Sequence, residues 1–459
     1  MRLYDQAIVD AADRVARAAQ EDFFGIEGQG AVTLSAVAGA GKSHFVTDTV
    51  QECGTRNMRV AVAAPTNEQV FSLVRSIADA DPGRPVAYVA ANDVVLPNWA
   101  MRPNVTRFQP AYQASGQAVL VGTIHKLASA LHPQRSATPV LGSFDALIMD
   151  ESFQANSGSY FALADIAPRH LCVGDGGQIQ PFTTIEAGRQ WRGLAEDPLQ
   201  TAIGIIHANH PDSPRHRFPI TRRLDGRGVS IARHFYPPDH QFGPAVVEGV
   251  RTMKLRSVRT SSVRDGVLDA ALDSAARSGW AYVEMPAMQT LIADPDTAEL
   301  IVDLIRRLER RECALTCERS LQGKTLQVAR IAVVVSHNDQ KAMVRMLLAG
   351  VGLNDVVVNT ANKLQGLEFD VVVCWHPLSG LLEADAFHVE AGRLCVMCTR
   401  HRHACIVVGR RGDRELVEGL PPSTPAYPGM GEDLDDILRG WAVHRAVFAE
   451  LASKMVQSQ

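Results

Sequence analysis

The sequence predicts an α/β fold: parallel sheets flanked by helices, repeated in two tandem halves and followed by a C-terminal helix. Three observations predict it. Short apolar, β-branched runs alternate with stretches of helical periodicity, the order that lays strands side by side in parallel with crossover helices on both faces. The alternation stops at the polar, proline-bearing "HANHPDSPRHR" (207–217) and then resumes. The length, 459 residues, has room for about two to four cores of ordinary size.

In the first half the predicted strands are "AVTLSAV" (31–37), "RVAVAAP" (59–65), "AVLVGT" (118–123), "DALIMD" (145–150) and "HLCVGD" (170–175). Each is a short apolar run bounded by a polar or glycine turn. "NEQVFSLVRSIAD" (67–79) has apolar residues at helical spacing between two of them. In the second half, helices are predicted over 265–279, 297–311 and 338–350. Strands are predicted at "WAYVEM", 330–336, 355–360, 369–375 and 404–409. The expected division is 1–210, with a short insertion over about 83–117, then 211–419, then a Pro-rich connector and last helix over 420–459.

Composition narrows the class. Apolar residues make up 46% and charged residues 21%, the balance of a soluble globular chain. The N-terminus reads as an amphipathic helix, not a signal peptide, and no apolar run reaches the roughly 18 residues of a membrane span. The eight cysteines are scattered, which favours free thiols in a reducing compartment, so a cytoplasmic protein with no membrane partner is expected. Net charge is −4, so the totals do not announce a nucleic-acid binder. Arginines do cluster over 215–233 and, with Lys254, over 251–259, where a solvated face is the plain reading.

Chemistry concentrates in two places. "AVAGAGKS" (36–43) lies between a predicted strand and a helix and fits the phosphate-loop pattern apart from Ala36 in place of the first glycine. Gly39, Ala40 and Gly41 let successive N–H groups turn inward as an anion nest, and the following helix adds its positive end. Lys42 supplies a point charge for terminal phosphates, Ser43 a hydroxyl for Mg²⁺, and His44 follows at the rim. "ALIMDESFQ" (146–154) is an apolar strand ending in two carboxylates. Asp150 can join a Mg²⁺ shell and Glu151 can deprotonate a water, which is most of what phosphoryl transfer asks of a protein.

The motif set resembles superfamily 1 helicases over most of the chain. "DESFQ" looks like their motif II and "VGDGGQIQP" (173–181) like motif III, which makes Gln178 a γ-phosphate sensor. "AAPTNEQV" (63–70) and "VGTIHKL" (121–127) are similar to motifs Ia and Ic, implying backbone contacts to nucleic acid through Thr66, Asn67, Thr123 and His125. "ITRRLDGRGVSIARHFY" (220–236) resembles motif IV, "IAVVVSHNDQ" (331–340) a strand whose end, at His337, touches nucleic acid, and "NTANKLQGLEFDVVV" (359–373) motif V. "RLCVMCTRHRHACIVVG" (393–409) resembles motif VI.

The resemblance implies two RecA-like domains with ATP and Mg²⁺ held between them, Arg223 and Arg400 acting as arginine fingers. Thr360 would hold a phosphate, while Gly366 and Glu368 couple the sites, Glu368 near the ribose. Gln6 resembles the adenine-reading glutamine, at a wider spacing from Lys42 than is usual. Arg222 stands where motif IV normally has tyrosine. The interval from Arg223 to Thr360 leaves no room for the large insertion of UvrD-like helicases. The pattern is closer to the branch containing the nonsense-mediated decay and viral RNA helicases. The function implied is ATP-driven translocation or unwinding on single-stranded DNA or RNA. Aromatics at 6% point to phosphate contacts over base stacking. The alternative is an ATP-switched assembly protein that binds nucleic acid or a partner without separating strands. A P-loop kinase would not need the second half with Gln365, Gly366 and Arg400.

Cys395, Cys398, His401, His403 and Cys405 also raise zinc. They are too compressed for two knuckles, and Cys313 and Cys317 are far off in the chain. Small buried apolar residues is the better reading of these cysteines.

Overall fold

The computed structural model describes residues 2–91, 93–132, 140–181, 197, 200–419 and 436–458. The Pro-rich connector over 420–431 and Phe182, which follows the motif III stretch, lie outside the described residues. The chain forms two compact units. The N-terminal unit comprises Asp10–Gly176 and Gln180–Pro219, and the C-terminal unit Ile220–Gln459 together with Met1–Val9 and Gly177–Ile179.

The N-terminal unit is built on eight strands. They are β1 (Gly30–Ser35), β2 (Val60–Ala64), β3 (Val86–Val89), β4 (Val105–Arg107), β5 (Val119–Thr123), β6 (Ala146–Met149), β7 (Arg169–Gly174) and β8 (Arg215–Arg217). Their order is β4-β3-β5-β2-β6-β7-β1-β8, and every pairing is parallel. The central strands are fully buried because helices cover both faces, which is why they read as unbroken apolar runs. Helices Ile124–Leu131, Ser157–Ala164 and Ala202–Asn209 contribute Leu127, Leu163 and Ile205 to the core on one face. Residues 83–117 belong to this sheet: β3 and β4 extend its edge in parallel. The polar stretch 207–217 also joins it. The helix Ala202–Asn209 covers its start, and β8 then pairs with β1 from Thr33↔Arg215 to Ser35↔Arg217.

In the C-terminal unit a short parallel pair, β9 (Ile220–Thr221) and β10 (Gly243–Pro244), stands beside an antiparallel sheet of three strands. These are β11 (Thr252–Lys254), β13 (Ala314–Cys317) and β14 (Ser320–Thr325). The main sheet holds β12 (Trp280–Met285), β15 (Ile331–Val335), β16 (Val357–Thr360), β17 (Phe369–Trp375), β18 (His401–Arg410) and β19 (Met455–Gln457). Their order is β16-β15-β17-β18-β12-β19, all parallel.

Helices Val263–Ser278, Pro295–Arg310 and Asn338–Gly350 pack on one face through Leu272, Ile301, Leu304 and Val344. The second of these starts where sequence dictates, with Asp294 capping the backbone N–H of Asp296 at 3.1 Å and Pro295 in the first turn. The predicted C-terminal helix is Asp436–Leu451. Its Phe448 packs on Tyr282 and His376, ring centroids 5.8 and 4.6 Å away. β19 follows and completes the sheet, a strand the sequence did not announce. The fold is thus two α/β units, each a parallel sheet between helices, with the RecA-like strand–loop–helix order expected.

Candidate nucleotide and nucleic-acid site

In the N-terminal unit, β1 ends at Ser35 and a loop leads to the helix Lys42–Thr55. Gly39 and Gly41 both take left-handed backbone, φ 74° and 99°, a conformation costly for any side chain but free for glycine. Gly41 is the residue immediately before the helix, so the loop's N–H groups and the helix end converge there. Ala40 is buried within the loop. Ser43 and His44 are exposed on the first turn, His44 with its ring 3.4 Å from Asp48.

Lys42 is drawn into the acidic strand end. Its Nζ donates to Glu151 Oε2 at 2.9 Å, with both side chains nearly buried. Burial lowers the lysine's pKa, but the surrounding carboxylates Glu151, Asp175 and Asp150 more than offset it and the net shift is upward. Asp150 moves the other way. Burial, then the neighbouring Glu151, push its pKa up to about 7, against the pull of Lys42. A buried carboxylate pair with one lysine between them is short of positive charge. The Asp150 carboxylate and the Ser43 hydroxyl are each oxygen donors of the kind a hard cation such as Mg²⁺ takes. Glu151 has φ 55°, a strained value for a side-chain-bearing residue that costs about 1–3 kcal/mol and recurs at functional turns.

The turn is wired to the next strand end. Gln154 N–H donates to Glu151 O at 2.8 Å, and Gln69 Nε2 donates to Gln154 Oε1 at 3.3 Å. Gln69 in turn closes a capping box with Thr66: its Oε1 accepts from Thr66 N–H at 3.0 Å, and Thr66 Oγ1 accepts from Gln69 N–H at 3.4 Å. Thr66, exposed, and Asn67, half-buried, open the helix Asn67–Ala80 after β2. Thr123 ends the adjacent β5 and accepts from Lys126 N–H at 3.3 Å, with His125 exposed in the first turn of the helix that follows. Both threonine hydroxyls accept locally and keep their O–H to donate outward.

In the C-terminal unit, Arg400 is 0% exposed and its Nη2 donates to Thr399 Oγ1 at 3.1 Å. Among the described residues its Nε and Nη1 have no hydrogen-bond partner. Each unmet buried donor costs roughly 1–3 kcal/mol, a cost that an anion placed here would relieve. Arg223 Nη1 donates to Thr399 O at 3.2 Å, and its Nε lies 3.6 Å from Glu368 Oε2. Thr399 therefore joins the two arginines. Arg222, beside Arg223, is exposed.

Gln178 packs with this unit as well. A Cβ on Gly392 would fall 2.5 Å from Gln178 O, so only glycine permits the approach. Glu368 is exposed and committed to Arg223 and Arg402, while Gly366 is exposed at φ 84°. Gln6 opens the helix Gln6–Phe24 and is exposed. Its segment Met1–Val9 packs with the C-terminal unit, where Asp5 N–H donates to Ala245 O at 2.9 Å, so the structure does not group it with the phosphate loop.

Thr360 and His337 sit at the C-terminal ends of neighbouring strands, paired through Val335↔Thr360. His337 is half-buried. Its Nε2 is 3.0 Å from His388 Nε2, its ring packs on Phe387, and burial, then the nearby His388 and Arg393, lower its pKa.

The cysteine-rich segment forms the helix Ala391–Cys398 and β18. All eight cysteines are free and buried. His401 packs edge-on against Trp280 at 4.7 Å, and His403 Nε2 is 2.9 Å from Thr316 O. Among the described residues no group of three or more His, Cys, Asp or Glu is placed to hold a metal, and no helix is long and apolar enough to cross a membrane. Sequence reasoning missed Glu318; it read Arg251 within a solvated basic run and Arg402 only as part of the motif VI stretch, whereas Arg251 is buried and both pair with Glu318.

A family profile described as AAA domain matches residues 284–412. No curated protein matches the sequence. Among solved structures, the PRRSV helicase is similar at 13% identity, over 86% of this chain and 54% of that one, with a TM-score of 0.40. The arterivirus nonstructural protein 10 helicase, solved with DNA, is similar at 11% identity, over 87% of this chain and 63% of that one, with a TM-score of 0.40. The chain thus spans between about half and two thirds of the structures it matches. Residues 284–412 thus match the family described as AAA domain, and by its motifs the chain resembles the superfamily 1 helicases, closer to the nonsense-mediated decay and viral branch than to the UvrD-like branch.

Proposed function

We propose that the protein is an ATP-driven translocase or helicase acting on single-stranded nucleic acid. The observation that carries the reading is Lys42, set on a two-glycine nest and bound at 2.9 Å to Glu151. In this reading the lysine leaves Glu151 for the terminal phosphates when ATP binds. That frees the carboxylate to accept a proton from the attacking water, so base activation waits for substrate. Ser43 and Asp150 would hold Mg²⁺. Bound there, the ion supplies charge neutralisation at the phosphates. Gly39, Ala40 and Gly41 present N–H groups to the phosphates, with His44 at the rim. Arg223 and Arg400 of the second unit stabilise the charge developing on the transferred group, and Gln178 reports its presence. Gly366 and Glu368 act as coupling residues beside Arg223, and Gln6 is the candidate for the adenine edge.

Thr66, Asn67, Thr123 and His125 at neighbouring strand ends of one sheet, and Thr360 with His337 at neighbouring strand ends of the other, are the proposed contacts to the strand backbone. The Gln69–Gln154 bond connects the first of these sets to the carboxylate turn. It is a physical route by which hydrolysis and strand grip can sense each other.

Lys42→Ala is expected to weaken ATP binding by about ten- to a hundredfold, the worth of a charge-assisted phosphate bond. Titration with a fluorescent ATP analogue reads this, and unchanged affinity would remove Lys42 from the site. The function itself is tested by ATPase rate with and without single-stranded DNA or RNA, then by unwinding of a tailed duplex. Stimulation that weakens steeply with salt, together with unwinding, is expected. Stimulation without unwinding selects the ATP-switched assembly reading. No stimulation by either polymer sinks both.

A further inference from the structure

The turn between β13 and β14 holds a buried carboxylate that no motif accounts for. The Glu318 side chain, 8% exposed, receives Arg251 as a fork, Nε to Oε2 at 3.1 Å and Nη2 to Oε1 at 3.0 Å. Arg251 spends its remaining donors on main chain. Nη2 donates to Arg222 O at 2.8 Å, and Nη1 donates to Arg223 O. Its side chain is fully buried, so it cannot exchange these partners for water. A second arm leaves the same carboxylate. Arg402 Nη2 donates to Glu318 Oε1, and Arg402 Nη1 lies 3.6 Å from Glu368, which pairs with Arg223 Nε at 3.6 Å. Glu318 is therefore tied to the backbone of Arg223 through one arginine and to its guanidinium through another. The loop closes at Thr399, which accepts from Arg223 and carries the hydroxyl held by Arg400.

We propose that Glu318 is a positioning residue of the ATPase site, holding Arg223, and through Thr399 Arg400, in the geometry that stabilises the transferred phosphoryl group. The proposal rests on the ATPase reading above. Three features favour positioning over simple packing. The fork uses both carboxylate oxygens. The acceptors beyond it are the two carbonyls that set the direction of Arg222 and Arg223. The arginine side chains face their anchor from both sides. Glu318 stays charged while doing this: burial pushes its pKa up, but the Arg251 hydrogen bond and the charges of Arg251 and Arg402 hold it down at about 2. Removing the carboxylate leaves two arginines competing for the Arg222 and Arg223 carbonyls and for Glu368, and the finger's aim is lost before any substrate contact is.

Glu318→Gln is expected to lower kcat for ATP by roughly ten- to a hundredfold, the scale of a small misplacement in a preorganised site, with ATP affinity unchanged. Glu318→Asp, which keeps the charge, is expected to recover part of the rate and serves if the glutamine variant fails to fold. In an Arg223→Ala background, Glu318→Gln is expected to cause no further loss, because the group it positions is gone. A merely structural role would instead give additive losses. Full kcat in a folded Glu318→Gln protein, or additive losses, overturns the proposal and leaves the ATPase reading standing. If the unaltered protein hydrolyses no ATP with or without DNA or RNA, the ATPase reading falls and this proposal with it.

Discussion

Glu151→Gln is expected to stop ATP turnover while leaving ATP bound. Glutamine has the same shape, and at φ 55° it bears the same backbone strain as the glutamate it replaces, so the turn that carries it is kept. What is lost is the proton acceptor. General-base catalysis is worth about a hundred- to ten-thousandfold, and no other carboxylate can take over cleanly. Asp150 is buried and already accepts the Glu151 N–H at 2.9 Å, so it is not placed to repeat the geometry of the Glu151 carboxylate. Lys42 loses one partner in the variant but retains Asp150 and Asp175, so its charge remains available to phosphate. Loss of the Lys42–Glu151 bond also removes a competitor of ATP, and affinity is expected to hold or rise. Single-turnover hydrolysis and titration with a fluorescent ATP analogue separate the two effects. Ordinary turnover in this variant would show that Glu151 is not the base.

The strands that carry chemistry were legible in the sequence because they are buried on both faces. "ALIM" and "FDVVVCW" have no solvent side, so their apolar runs end where the strand ends, and the carboxylates or glycines that follow stand out. Edge strands were not legible. β14, "SLQGKT", and β8, "RHR", are largely exposed and therefore polar, and their pairing is decided by what the fold lays beside them. The same limit hid the residues behind the arginines. Glu318 meets Arg251 across 67 positions of chain, and a lone Glu in a turn carries no periodic or spacing signal. His337 shows a third limit. Its place at a strand end was readable, but its ring's partners, Phe387 and His388, come from a segment after β17.

Arg400→Ala is expected to cut turnover by about a thousandfold, the usual worth of an arginine finger, with little loss of stability. The pairing of those two effects follows from the side chain's setting without nucleotide. A structural arginine at 0% exposure would have its donors filled, and its removal would orphan the carboxylates it served. Among the described residues Arg400 serves no carboxylate, and its one side-chain bond is to Thr399 Oγ1; that hydroxyl has a second use, donating to Cys395 O at 2.7 Å. Deleting the guanidinium removes two unmet buried donors along with some packing, and these opposing terms leave the melting temperature within a few degrees of the parent. Arg400→Lys is not expected to rescue the rate, because an ammonium cannot present a planar fork to phosphate oxygens. Stopped-flow hydrolysis and thermal melts of the same preparations read both effects. A near-parental rate, or a collapse in stability with the rate per folded molecule intact, would assign Arg400 to the architecture of the unit and remove it from the chemistry.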